Sequence, residues 1–382
     1  MKYRKFNGLD VEASVLGFGA MRLPVRDGDY SAINEPKAMK MLRHAIDSGV
    51  NYIDTAYPYH NGNSERFLAK VLKDGYREKV YLATKLPVGR LKEKEDMTRI
   101  FNEQMEKLEV DYLDFYLLHA VNRNSWETCV KLGVTEFIDE LKAAGKIKYA
   151  GFSFHDSPEI FRKVADAYEW DMCQLQFNYV DTHTQAGIES FRYAADKKMN
   201  IVVMEPLRGG SLASNLPPEL EEHFRNAEID RSPVEWAFRW LYNFPEVKVI
   251  LSGMNTMEQL KENLRIFDSA VADSMTEAEQ RTMERAMEIM NEKTAVPCTD
   301  CKYCMPCPHG VNIPAMFGLY NRYTRFSNKD EIKAQYNEWR ARTEKKSTAD
   351  LCVNCGECLE KCPQSIQIPD KLAEMDSLLA SK

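Results

Sequence analysis

The stretch VYLATKLPVGRLKEKEDMTRIFNEQMEKLEVDYLDFYLLH, residues Val80 to His119, holds two short β-rich runs around one helical pattern. Val80–Lys85 and Tyr112–Leu118 are apolar and aromatic, the composition of strands. Between them, Glu95–Leu108 places Met97, Ile100, Phe101 and Leu108 on one face of a helix. The reading is strand, helix, strand, the repeating unit of an α/β fold.

The same alternation extends in both directions. Further strand candidates are Val15–Gly19, Tyr52–Asp54, Ile147–Ser153, Met172–Phe177, Asn200–Glu205 and Val247–Ser252. Amphipathic stretches fall between them at Glu35–Ser48, Trp126–Ala144, Ser157–Tyr168, Gln185–Lys198 and Pro233–Asn243. Ser157-Pro158-Glu159 sets an N-cap residue before an N1 proline, and Gly145 follows a helical run. Asn7-Gly8, between Tyr3–Phe6 and Asp10–Val15, marks a small hairpin. Eight strands, each followed by a helix, within about 270 residues predict a (β/α)8 TIM barrel. A doubly wound open sheet is the alternative, but no G-x-G-x-x-G follows an early strand. The helical run Glu277–Lys293 closes this domain, so the reading divides the chain into a barrel, 1–293, and a tail, 294–382. In the tail, Ala315–Phe326 and Asp330–Lys345 read as helices.

With 382 residues, 44% of them hydrophobic, the chain can bury a substantial core. Its net charge is −7 and it has no long Lys/Arg block, so nothing suggests a nucleic-acid partner. The N-terminus, MKYRKFNGLDVEAS, lacks an apolar run, and no stretch reaches the roughly 18 apolar residues of a membrane span. The expectation is a cytoplasmic protein without nucleic-acid or membrane partners.

In such a barrel, chemistry collects at the C-terminal ends of the strands. Three consecutive strands end in Asp54, Lys85 and His119, with Tyr57 and Tyr59 on the adjoining loop. Singly, each has a plain reading: a packed histidine, a lysine paired with an aspartate, ordinary loop aromatics. Their coincidence at one rim points to a site. The segment NYIDTAYPYHNGNSE, Asn51–Glu65, with Lys85 and His119 at the next two strand ends, resembles the aldo-keto reductase superfamily over about residues 1–290. The resemblance implies a catalytic tetrad of Asp54, Tyr59, Lys85 and His119, the five-residue step from the aspartate selecting Tyr59 over Tyr57. It implies reduction of a small carbonyl, or oxidation of an alcohol, with a nicotinamide cofactor. A free phenol, pKa near 10, is a poor acid. A lysine kept cationic by an aspartate would stabilise the phenolate and let the tyrosine exchange a proton, while the histidine orients the carbonyl.

For the cofactor, the resemblance assigns Ser153 and Gln174 to the carboxamide, and Gly19, Ala20 and Met21 to the ribose, with Asp54 also on this side. Glu205, Leu207, Arg208 and Gly209 would form the pyrophosphate loop. Ser252, Gly253, Met254 and Gln259 lie in SGMNTMEQLKEN, whose Glu262 and Asn263 resemble the adenine contacts. Three positions depart from the family pattern: Met204 replaces a stacking tyrosine, Phe154 an asparagine, and Gln259 the basic residue for a 2′-phosphate. NAD and NADP both stay open.

Eight of the ten cysteines gather in CTDCKYCMPCPHGV, Cys298–Val311, and CVNCGECLEKCPQSI, Cys352–Ile366. Disulfides are rare in the cytosol, and zinc sites usually show two separated C-x₂-C pairs. The second run is C-x₂-C-x₂-C-x₃-C-P, the bacterial ferredoxin spacing, and the first is one residue shorter. Two [4Fe–4S] clusters are expected, one on Cys298, Cys301, Cys304 and Cys362, the other on Cys352, Cys355, Cys358 and Cys307. The tail resembles an α-helical ferredoxin. Cys129 and Cys173 read as inert buried thiols. Nicotinamide passes two electrons as hydride and a cluster passes one, so exchange between them calls for a group such as FMN. Two enzymatic readings result: a carbonyl reductase carrying clusters, or an electron-transfer module partnered by ferredoxin or flavodoxin. A non-enzymatic cofactor sensor is a third.

Overall fold

Short strands that are apolar on both faces dominate the first part of the chain, the pattern of a parallel sheet covered by helices. The computed structural model describes residues 1–214, 216–298, 300, 302–325, 329–342 and 346–381. Its strands are β1 (Tyr3–Lys5), β2 (Glu12–Ser14), β3 (Leu16–Gly19), β4 (Val25–Arg26), β5 (Asp29–Ile33), β6 (Tyr52–Asp54), β7 (Tyr81–Leu86), β8 (Leu113–Val121), β9 (Ile147–Phe154), β10 (Met172–Gln176), β11 (Asn200–Met204) and β12 (Val247–Ser252). Eight of them close a parallel barrel in the order β10-β11-β12-β3-β6-β7-β8-β9. The antiparallel hairpin β1–β2 carries Phe6 and Val11 into a buried cluster with Tyr52, Phe115, Met172, Val202 and Val249. Bulky side chains thus fill the barrel interior, as a small barrel requires.

By its contacts the chain divides into two compact units: Met1–Pro206 with Phe238–Met275, which holds the barrel, and Leu207–Ala237 with Thr276–Lys382. The second unit includes Leu207–Ala237 and the helix Glu277–Glu292, which the sequence reading grouped with the barrel. Its core packs Val296, Met316, Phe317, Tyr320, Tyr336, Leu372 and Met375, with Cys298, Cys307, Cys352, Cys358 and Cys362 against its edge. The buried Asn321 side chain both accepts from and donates to the backbone of Val296, fixing the segment that leads to Cys298. Helices Ile313–Arg325 and Lys329–Ala341 cover the two expected in the tail. Phe326 and residues 343–345 of those expectations lie outside the described residues.

One expectation needs correction. The run Trp126–Ala144 is two helices, Arg123–Leu132 and Val134–Ala143, because Gly133 turns left-handed at φ 73° and its amide caps the first on Cys129 and Val130. Left-handed backbone at a helix end is where glycine is favoured. Ser157 holds its expected cap position before Pro158, although its side chain makes no cap bond and its amide donates to Asp156. The segment between Leu23 and Pro36 contains the antiparallel pair β4–β5. No helix among the described residues is long and apolar enough to cross a membrane.

Gly151 on β9 pairs with Met172 on β10, and a β-carbon there would lie 2.7 Å from the Met172 carbonyl oxygen. Backbone cannot yield as a side-chain tip can. Gly151→Ala is expected to destabilise the barrel by about 1–3 kcal/mol, read as a lowered denaturation midpoint.

Candidate active site

Asp54 ends β6 and Lys85 lies near the end of β7, with Asp54 in register with Ala83. The strand ends therefore bring the two side chains together. Lys85 Nζ donates to Asp54 Oδ1 at 2.6 Å and to the Thr55 carbonyl at 2.7 Å. Lys85 is fully buried and Asp54 nearly so. Burial pushes the Asp54 carboxyl up and the Lys85 ammonium down, and their contact opposes both effects. Each charge is tolerable only because the other is there.

Tyr59 stands beside this pair. The Lys85 ammonium is 5.1 Å from its ring centroid, and the His119 ring meets it edge-on at 5.8 Å and 81°. Tyr57 is directed elsewhere: its hydroxyl donates to Glu103 at 2.6 Å and the Lys107 ammonium covers its ring at 3.8 Å. The structure therefore separates the two tyrosines that sequence spacing had to choose between. His119, on β8, is held well below the usual histidine range, by burial first and then by Lys85, His155 and Arg90. A neutral imidazole is left, able to donate one N–H.

Several residues of this neighbourhood escaped the sequence reading. Glu65 is fully buried, and its Oε1 accepts from Thr84 Oγ1 at 2.8 Å and Gln104 Nε2 at 2.7 Å. Gln104 also donates to the Lys85 carbonyl, and Tyr116 donates to Gln104. This layer braces the backbone of Lys85 from behind. A glutamate fifteen residues into the Asn51–Glu65 segment was visible, but nothing in a single sequence distinguished it from a surface acid. His155 is a second buried histidine at the rim, bonded to Gln185, whose amide donates to Gln176.

The residues assigned to the cofactor lie as follows. Gly19 ends β3, and Ala20 and Met21 form the turn after it. Ser153 on β9 and Gln174 on β10 are in register, with Gln174 Nε2 directed at the Met204 sulfur. Gln174 Oε1 and Asp54 Oδ2 are buried acceptors that no donor among the described residues satisfies. Ser252 accepts from Asn263, and Gly253 lies close against Arg22. Met254 is buried, and Glu262 is half-buried on the helix Met257–Phe267. Gln259 is occupied in a capping box with Thr256, its side chain accepting from Asn255 and Thr256. Glu205 is left-handed at φ 53°, and its carbonyl accepts from Asn178. Leu207, Arg208 and Gly209 belong to the second unit, where Arg208 and Gly209 are left-handed at φ 47° and 67°.

In the second unit the thiols line two recesses. One, of about 380 Å³, is bordered by Cys304, Cys307, Cys352, Cys355 and Cys358. The other, of about 310 Å³, is bordered by Cys298, Cys304 and Cys362; Cys301 lies outside the described residues. Burial and the neighbouring thiols of Cys352, Cys307 and Cys355 push Cys358 up, and burial raises Cys298 to about 11. Among the described residues no three His, Cys, Asp or Glu converge on a point suited to a single metal ion. Thiols spread around a recess fit a multi-atom group better than one tetrahedral ion. Cys129 and Cys173 are buried, and burial pushes Cys129 up to about 12 and Cys173 above its usual range.

Comparison with known proteins agrees with this fold. The sequence model described as "Aldo/keto reductase family" matches residues 15–281, and that of a 4Fe-4S dicluster domain matches residues 297–366. The uncharacterized oxidoreductase YqkF of Bacillus subtilis (strain 168) is 25% identical over 316 residues, 74% of this chain and 96% of its own. Aldo-keto reductase YhdN of the same organism is 26% identical over 272 residues, 68% of this chain and 76% of its own. The holo form of aldo-keto reductase AKR11C1 from Bacillus halodurans superposes with a TM-score of 0.64 at 25% identity, covering 75% of this chain and 96% of that one. The chain belongs to the aldo/keto reductase family and is an oxidoreductase carrying a 4Fe-4S dicluster domain.

Burial holds His155 down to about 4, whereas an unfolded histidine titrates near 6.5. Between those values the unfolded chain binds more protons, so stability falls as pH falls. Unfolding free energies at pH 7 and pH 5 are expected to differ by about 2 kcal/mol from this group alone, and His155→Gln should shrink that difference.

Proposed function

We propose that this member of the aldo/keto reductase family reduces a small carbonyl, or oxidises the corresponding alcohol, with a nicotinamide cofactor at the barrel mouth. The observation that carries the reading is the buried Lys85–Asp54 pair beside the Tyr59 ring, with His119 edge-on to the same ring. The cofactor would supply hydride. Tyr59 then gives a proton to the carbonyl oxygen on reduction and takes it back on oxidation. A cation beside a phenol favours the phenolate, which is the role of Lys85, and Asp54 keeps Lys85 charged. Neutral His119 donates its N–H to the same oxygen and fixes its position.

The residues fit such a cofactor. Gln174 Oε1 is a buried acceptor suited to a carboxamide N–H, and Asp54 Oδ2 one suited to a ribose hydroxyl. Gln259 offers no positive charge and already caps a helix, so a 2′-phosphate gains nothing from it and NAD serves as well as NADP.

Cys307, Cys352, Cys355 and Cys358 would hold one [4Fe–4S] cluster, and Cys298, Cys301, Cys304 and Cys362 the other. Cys304 and Ile313 border both recesses, so the two sites are adjacent. That adjacency supports a second reading, in which single electrons are exchanged with ferredoxin or flavodoxin. A group stable in one- and two-electron states, FMN being the candidate, would then join the two regimes.

Anaerobically purified full-length protein should contain about eight iron atoms per chain. With NADPH or NADH and 4-nitrobenzaldehyde as probe, Tyr59→Phe should lower kcat by about 10²-fold or more and leave nucleotide affinity nearly unchanged. Retained turnover would move the proton donor elsewhere, zinc in place of iron would remove the clusters, and stoichiometric flavin would favour the second reading.

A further inference from the structure

His60 follows Tyr59 directly, and no step above uses it. Its side chain is fully buried. Its backbone is left-handed, φ 52° and ψ 42°, and Asn61 repeats this at φ 54° and ψ 35°. Residues with a β-carbon adopt that conformation at a cost, so the surroundings must hold it in place. Nδ1 lies 2.7 Å from the Tyr30 carbonyl oxygen, and Nε2 lies 3.2 Å from the backbone amide of Leu23. A carbonyl only accepts and an amide only donates, so the ring is the neutral Nδ1–H tautomer. The Tyr30 ring stacks on it, centroids 4.5 Å apart and planes 22° apart. Tyr30 belongs to β5, and Leu23 caps the turn Ala20–Arg22 that continues from Gly19. Asn63 ties the same hairpin again by donating to the Ser31 carbonyl.

One imidazole thus joins three segments: the turn that carries Tyr59, the segment running on from Gly19, and the hairpin β4–β5. We propose that His60 is a positioning residue for proton transfer, its neutral ring clamping the Tyr59 turn to Leu23 and Tyr30 so that the phenol keeps its place beside Lys85 and His119. The inference rests on Tyr59 being the proton donor. His60 touches its own chain through the bonds above, so its loss acts through the geometry of Tyr59. A small misplacement of a reacting group lowers kcat by far more than it weakens nucleotide binding.

The test compares His60→Phe, His60→Asn and His60→Gly in the anaerobic full-length protein. The readouts are kcat with 4-nitrobenzaldehyde and the Kd for NADPH. Phenylalanine keeps the stack on Tyr30 and loses both hydrogen bonds; kcat should fall by roughly 10²-fold with Kd changed by no more than about threefold. Asparagine tolerates left-handed backbone and can donate to Tyr30, and should recover about tenfold over phenylalanine. Glycine removes the strain but restores neither bond, and should stay as slow as phenylalanine. Wild-type kcat in the glycine or phenylalanine variant would overturn the proposal, as would a Kd that weakens in step with kcat. If the phenylalanine variant does not fold, asparagine no faster than glycine overturns it. Tyr59→Phe serves as the control: turnover there sinks the donor assignment, whereas an inactive Tyr59→Phe beside a fully active His60→Gly sinks only the role of His60.

Discussion

A lysine with no exposed surface, bonded at 2.6 Å to a buried aspartate, is the constraint on which the barrel mouth depends. Taking either charge out of water alone costs several kcal/mol. The arrangement survives because Asp54 and the Thr55 carbonyl both face the ammonium, and because strand ends hold them there. A closed parallel barrel supplies that convergence: residues distant in sequence reach one rim, since every strand runs the same way. The Glu65–Gln104–Thr84 layer then keeps the Lys85 backbone from relaxing away. Tyr59 and His119 stand beside this pair, and Lys85 adds to the burial that keeps His119 neutral.

What could be read in the sequence was whatever repeats locally. Strand composition and helix spacing located the eight barrel strands to within a few residues, because each is a short, nearly continuous apolar run. The aspartate, lysine and histidine were visible as polar residues ending such runs. The break at Gly133 was not, since apolar spacing carries on through it and one glycine is weak evidence against a helix. Nor was the β4–β5 hairpin, whose strands are short, exposed and held by His60 from another segment. His60 looked like any polar loop residue; its burial comes from contacts with Tyr30 and Leu23, more than 25 residues away.

The tail behaved differently. Cysteine spacing is a chemical code independent of secondary structure, so the ferredoxin-like character of the two runs was legible without any fold. The expectation of Cys307 with the second run and Cys362 with the first came from that code too; that the two recesses share Cys304 and Ile313 needed three dimensions. So did the membership of Leu207–Ala237, which clusters with Thr276–Lys382 rather than with the barrel. That segment begins just after β11, where barrel periodicity alone would have kept it in the first unit. Gln259 illustrates the opposite limit: its identity was informative in sequence, and its capping role adds a structural reason for an uncharged residue there.

The central claim is that Lys85 makes Tyr59 a usable acid. It is tested most directly by following the ionisation of Tyr59 itself, with ¹³Cζ-tyrosine NMR of the anaerobic protein and Tyr59→Phe to assign the signal. The account requires the wild-type phenol to ionise at a lower pH than in Lys85→Met, by about one pH unit or more. Equal midpoints, or a wild-type phenol that ionises later, would contradict it.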